Sequence, residues 1–227
     1  MQARSACYST IGLKFLVAFT GLFMIFFLIM HLLGNLEVYA GPEAANQYGV
    51  LLRTFPKFLW GFRIALLLAV IIHIWVTVIL TRRNQEARIE RYAVKKSRKA
   101  TLNSRTMMLS GLTILVFVLY HLAHYTLGIT NPEYNLLHDN LGRHHVYNMV
   151  VMGFSNPVIS GFYILAQVLL AFHISHGISS AARTLGLSSS KRFESIKKLG
   201  SIFSWTIALL FISIPVAVLL GALPLDV

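Results

Sequence analysis

Nine histidines are spread along the chain, and six of them interrupt runs of apolar residues: His31, His73, His121, His124, His173 and His176. Neutral imidazole is a good transition-metal donor and a good proton carrier, and little else within those runs can do chemistry. All eight acids (Glu37, Glu43, Glu86, Glu90, Glu133, Asp139, Glu194 and Asp226) fall at the ends of the runs or between them. A carboxylate proton wire through the runs is therefore not expected. Cys7 is the single cysteine, which excludes an internal disulfide framework and any Cys cluster for zinc or iron–sulfur ligation. Any metal must be held by histidine.

The elements that must position these rings are membrane helices. Of the 227 residues, 56% are hydrophobic and only 12% charged, against roughly 25% charged in a soluble domain. Mean hydropathy is +0.66. A bilayer core needs about 20 apolar residues per helix, and five stretches meet that length: about 12–36, 58–81, 107–129, 156–182 and 199–222. The chain reads as one all-α membrane domain over 1–227. Val38-Tyr39-Ala40 resembles a signal cleavage site, but the run from Phe15 to Leu36 is too long for a secretory signal core.

The formal charge of +12 does not point to nucleic acid, because the basic residues fall in blocks between apolar runs with no aromatic interleaving. Nine lie between Arg82 and Arg105 and five between Arg183 and Lys198, while Arg4 and Lys14 precede the first run. Only Arg53, Lys57, Arg63 and Arg143 belong to the opposite side. The positive-inside rule then places the N-terminus inside and the C-terminus outside.

A polar ring in hydrocarbon costs free energy unless it faces the bundle and finds a partner. Histidines in four successive spans ask for a common cause, and two metal porphyrins held between pairs of rings would supply one. The two ligands of one such group must share a depth. Counted from the inner boundary, His31 is about 26 Å from Lys14 and His121 about 24 Å from Arg105. His73 is about 14 Å from Arg82 and His173 about 15 Å from Arg183. The spacing predicts an outer pair, His31 with His121, and an inner pair, His73 with His173, about 10–12 Å apart in depth.

Glycines follow the same register. Gly21 and Gly111 each precede their span's ligand by ten residues, near the inner level, and Gly61 and Gly161 precede theirs by twelve, near the outer level. Each helix would thin where the other porphyrin passes, although small residues also serve plain packing between membrane helices. Equal offsets suggest that spans one and two repeat in spans three and four. Depth does not choose between His121 and His124, or between His173 and His176, since each pair is spaced i,i+3 on one face. The spare members could donate to a propionate, contact a substrate or simply pack. Arg82 and Arg183 are candidate propionate partners at the inner end, and Arg53, Lys57 or Arg63 at the outer.

The stretches TIGLKFLVAFTGLFMIFFLIMHLLGNL, LYHLAHYTLG, VYNMVVMGFSNP and LAFHISHGISSAARTLGL, with ISIPVAVLL after them, resemble the di-haem cytochrome b anchor of succinate dehydrogenases and fumarate reductases. The resemblance implies two haem b groups ligated by His31, His73, His121 and His173. His173, thirteen residues before Gly186 as in that family, is favoured over His176. It also implies a flavoprotein subunit with covalent FAD and an iron–sulfur subunit on the cytoplasmic face of a bacterial inner membrane, with electrons passing to a quinone, menaquinone in preference to ubiquinone. Succinate would be oxidised on a partner subunit. Relatives place the quinone near the outer haem, where Glu37 and His124 are candidate contacts, together with Tyr125 and the loop histidines His138, His144 and His145. Some fumarate reductases carry a Glu where this chain has Ala171, and the pair His144-His145 replaces an expected His-Asp. Rival readings are the cytochrome b subunit of a hydrogenase or formate dehydrogenase, and a haem-free transporter whose histidines relay protons.

Overall fold

A computed structural model of the chain describes residues 9–86, 107–187 and 189–226. The basic segment beyond Glu86, up to Arg105, lies outside them. Helix α1 (Thr10–Leu36) starts where the Ser9 hydroxyl accepts the Gly12 N–H at 3.0 Å, and it runs on into a 3-10 turn, Glu37–Ala40. Val38, within the sequence that resembles a cleavage site, is buried there. Gly41 has φ +99°, a backbone that L side chains rarely adopt, and it turns the chain into the short helix α2 (Pro42–Thr54). Helix α3 (Pro56–Glu86) returns across the bundle.

Helix α4 (Met107–His121) passes into a π-type turn, Leu122–Thr126, which is followed by a 3-10 turn, Pro132–Leu136, and the short helix α5 (Val146–Phe154). Helix α6 (Pro157–Thr184) is capped by the Asn156 side chain, which accepts the N–H groups of Val158 and Ile159, with Pro157 at its first position. Gly186, at φ +73°, ends it and lets the Leu187 N–H reach the Ala182 carbonyl at 2.9 Å. Helix α7 (Ser190–Leu219) carries Pro215 in its interior.

Five helices are long and apolar enough to cross a membrane, spanning Thr10–Ala40, Pro56–Glu86, Met107–Thr126, Pro157–Thr184 and Arg192–Leu219. No named strand occurs among the described residues. The third span leaves α-helical geometry at His121 and ends at Thr126, short of the expected 129. The fifth helix begins well before 199, because the charged segment after Ser189 is itself helical. Large apolar side chains such as Phe19, Phe58, Trp60 and Trp75 point outward. That surface suits hydrocarbon and not water.

Packing defines a ring of four helices. Helix α1 lies against α3 on one side and α6 on the other, α6 in turn lies against α4, and α3 and α4 make no extended contact. Helix α7 packs chiefly on α6, with further contact to α1 and α5. Around the ring the order is α3, α1, α6, α4, so α1 faces α4 and α3 faces α6 across diagonals. The main buried cluster sits at the outer end, where Val38 and Ala45 meet Tyr147, Val151 and Phe154 of α5 and Ile214 and Val218 of α7. A smaller cluster, Leu13 with Val76 and Leu80, closes the inner end between α1 and α3.

The short helices α2 and α5 are held over the outer end by a polar clamp. Arg143 spans Glu43 with two bonds of 2.6 and 2.8 Å, and its Nε donates to Asp139 at 2.6 Å. Asp139 also accepts from the N–H groups of Leu141 and Arg143 and from the Asn46 amide. Burial opposes ionisation of Asp139, but the Arg143 and Leu141 donors outweigh it and hold the carboxyl at about 2. Glu43 is likewise held low by its Arg143 hydrogen bond. A carboxyl held below its ordinary value stabilises the fold above that value and loses the contribution as pH falls through the depressed one. In detergent, the melting-temperature difference between wild type and Arg143→Met should therefore be full above pH 4.5, the ordinary value of Glu43, and shrink towards pH 2. A difference that stays constant over that range would show that the clamp does not carry the effect.

Candidate functional site

Four of the six span histidines line the ring's diagonals, and all four are half-buried. His31 on α1 and His121 on α4 meet with ring centroids 5.7 Å apart and planes at 84°. Each leans on a phenylalanine one turn earlier: Phe27 stacks on His31 at 5.2 Å and Phe117 on His121 at 5.7 Å. Neighbouring helices pack at about 8–10 Å, so a diagonal of four is about 11–14 Å. His73 on α3 and His173 on α6 occupy the other diagonal, His73 lying against Gly21 of α1 and His173 against Gly111 of α4.

The inner rings are held by hydroxyls from the adjacent helix. Thr20 Oγ1 lies 3.0 Å from His73 Nδ1, and Ser110 Oγ lies 3.2 Å from His173 Nδ1. Each hydroxyl has one proton, and each donates it to a carbonyl of its own helix: Thr20 to Leu16 at 2.8 Å, Ser110 to Met107 at 3.0 Å. With the hydroxyl proton on the carbonyl, the oxygen is free to accept from Nδ1–H, the arrangement that leaves Nε2 with its lone pair. At the outer level the Tyr163 hydroxyl stands 3.4 Å from His121 Nδ1 and 3.0 Å from His124 Nδ1. His31 differs. Its Nε2 is 3.4 Å from the Asn35 amide nitrogen, whose short bond of 2.7 Å goes to the His31 carbonyl.

These residues fit a flat macrocycle with its own metal. Among the described residues no group of three or more His, Cys, Asp or Glu could hold a bare ion. A metal held by two imidazoles would take its remaining donors from elsewhere, as haem iron does from its porphyrin. An imidazole donor nitrogen is about 1 Å from the ring centroid and a metal–imidazole bond is about 2 Å, so two axial rings have centroids about 6 Å apart. The outer pair, at 5.7 Å, is close to that separation, with His31 Nε2 turned to the Asn35 amide. Gly21 and Gly111 face the inner rings: a Cβ there would stand 3.4 Å from His73 and 3.5 Å from His173. A Cβ at Gly61 or Gly161 would meet nothing within 4 Å. Ala171, the position of a carboxylate in some fumarate reductases, is fully buried.

The spare histidines separate. His124 has no exposed surface; its Nδ1 lies 3.0 Å from the Tyr163 hydroxyl and its ring sits among Tyr120, Tyr125 and Tyr134. The π-type turn after His121 carries it inward. His124 Nε2 is buried among these rings without a hydrogen-bond partner among the described residues. His176 remains half-buried. Arg183 lies 3.8 Å over the Phe193 ring, so the cation is spent on α7, and Arg82 is exposed. Neither is drawn towards the diagonals by a bond. Glu37 stands in the 3-10 turn near Tyr48, without a hydrogen bond to His124.

The loop histidines have structural work. His138 and His144 pair through an isolated β-bridge, and burial, with Arg53 as a lesser cause, lowers the His144 pKa. The His145 ring caps α5 by accepting the Asn148 N–H at 3.3 Å, and its Nε2 faces Asp226 at 3.3 Å. Thr20, Ser110 and Tyr163 escape a reading of the sequence that looks only for metal donors. A signal existed for two of them: hydroxyl, glycine, phenylalanine and histidine fall at equal offsets in the first and third spans.

Five apolar helices define a multi-pass membrane protein, and its interior carries two diagonal histidine pairs. Comparison with family models, characterised proteins and solved structures returns no match, and the chain's own geometry must carry the functional reading.

Proposed function

We propose that the chain is the cytochrome b membrane anchor of a succinate:quinone oxidoreductase. Its two b haems are held by His31 with His121 at the outer level and by His73 with His173 at the inner level. The observation that carries this reading is the placing of four half-buried imidazoles on two diagonals of one helix ring, with the outer rings 5.7 Å apart. Bound there, the two haems supply one-electron carriers stacked across the bilayer.

The chain's own residues do the rest. His73 and His173 can present Nε2, since hydroxyls stand at Nδ1, and Phe27 and Phe117 hold the outer rings by stacking. The N-terminus lies in the cytoplasm and the C-terminus outside, so the basic inner segments face an iron–sulfur subunit and an FAD flavoprotein. Electrons leave to a quinone, menaquinone, at the outer end of a bacterial inner membrane. Glu37 is the acid placed to exchange protons there.

Dithionite-reduced minus oxidised spectra with a pyridine haemochrome count test the reading. Two haem b per chain are expected, along with co-purifying flavin and iron–sulfur subunits. A colourless chain favours the transporter reading, and a haem count of one removes the diagonal assignment. Two haems accompanied by hydrogenase or formate dehydrogenase subunits would keep the diagonals and replace the partner enzyme.

A further inference from the structure

Hydroxyls are common in membrane helices and usually do no more than bond back to a carbonyl one turn earlier. Thr77, Thr113 and Ser179 do so in this bundle, bonding to His73, Leu109 and Ser175. Thr20 and Ser110 do that and one thing more. Each is 4% exposed, each precedes a glycine, and each directs its oxygen at the Nδ1 of a histidine on the next helix. Gly21 and Gly111 lie against the same rings, where an added Cβ would come into contact 3.4 Å from His73 and 3.5 Å from His173. The same three-part contact thus occurs twice, once between α1 and α3 and once between α4 and α6.

We propose that Thr20 and Ser110 are matched positioning residues for the inner histidine pair. This rests on the cytochrome reading above and goes beyond it by assigning which groups orient the ligands and set the electronic balance of one haem. With its own proton on a carbonyl, each hydroxyl can accept from Nδ1–H, which fixes the tautomer and pins the ring about its Cβ–Cγ axis. Accepting that proton makes the imidazole a stronger donor, which favours ferric over ferrous iron. The outer ligand His121 has the longer Tyr163 contact at 3.4 Å, so the two levels are tuned by different groups.

The test uses the purified holoprotein in detergent, with spectroelectrochemical titration of both haems and low-spin EPR. Thr20→Val and Ser110→Ala remove the acceptor with little change of volume; Thr20→Ser and Ser110→Thr keep it. Each deletion variant should raise the midpoint of the inner haem alone, by about 59 mV for every tenfold of ferric preference lost. The conservative variants should restore it, and the outer haem is the internal control. If Thr20→Val does not accumulate, Ser110→Ala tests the same contact at its mirrored position. Midpoints unmoved in the deletion variants, or conservative variants that behave like deletions, overturn the assignment while two bound haems leave the cytochrome reading standing. A wild type without haem overturns that reading, and this assignment with it.

Discussion

His73→Ala and His173→Ala should each abolish the same haem, and His31→Ala and His121→Ala should each abolish the other. Loss of either axial imidazole leaves a bis-histidine site with one protein bond, so each variant should fall from two haems per chain to one. The grouping follows from the diagonals: α1 faces α4 and α3 faces α6, while neighbours in the ring supply hydroxyls and not ligands. A haemochrome count combined with redox-resolved spectra reads both the number and the identity of the haem that disappears. If His31→Ala and His73→Ala removed the same one, adjacent helices would share a haem and the pairing would fail. His124→Leu and His176→Leu should retain both haems, because His124 is enclosed by tyrosines and neither residue lies on a diagonal contact.

Filling the glycine faces should be nearly as damaging and equally selective. At Gly21 and Gly111 a Cβ would already touch the His73 and His173 rings, at 3.4 and 3.5 Å, so the γ-methyls of valine must push the ring aside. Overpacking of this kind costs about 1–3 kcal/mol. Spent on ligand geometry, that cost corresponds to about a 5- to 150-fold loss of inner-haem affinity. Gly21→Val and Gly111→Val should thus deplete the inner haem and leave the outer one. At Gly61 and Gly161 an added Cβ meets no protein atom within 4 Å, so Gly61→Val and Gly161→Val should disturb the helix packing least. Depletion of the outer haem in these two variants would place it against both glycines, as their register at the outer level leads one to expect. Haem retention on titration with hemin, measured for all four variants, decides the matter; equal losses at both levels in Gly21→Val would mean general unfolding and not a displaced ligand.

Much of this protein is legible without a structure because the bilayer reduces the problem to one dimension. Apolar length gives the spans, basic blocks give their sidedness, and a rise of about 1.5 Å per residue converts numbering into depth, which pairs His31 with His121 and His73 with His173 before any packing is known. Depth says nothing about azimuth. Only the packed ring decides which helices are diagonal, that Thr20 and Ser110 reach across to Nδ1, and that His124 turns inward through the π-type turn while His121 keeps facing His31. The helices α2 and α5, short and mixed in polarity, carry no spanning signal, and the Arg143 clamp that seats them joins residues 100 positions apart. Rotation about a helix axis and contact between distant segments are fixed by side chains meeting side chains, and a linear count of residues contains neither.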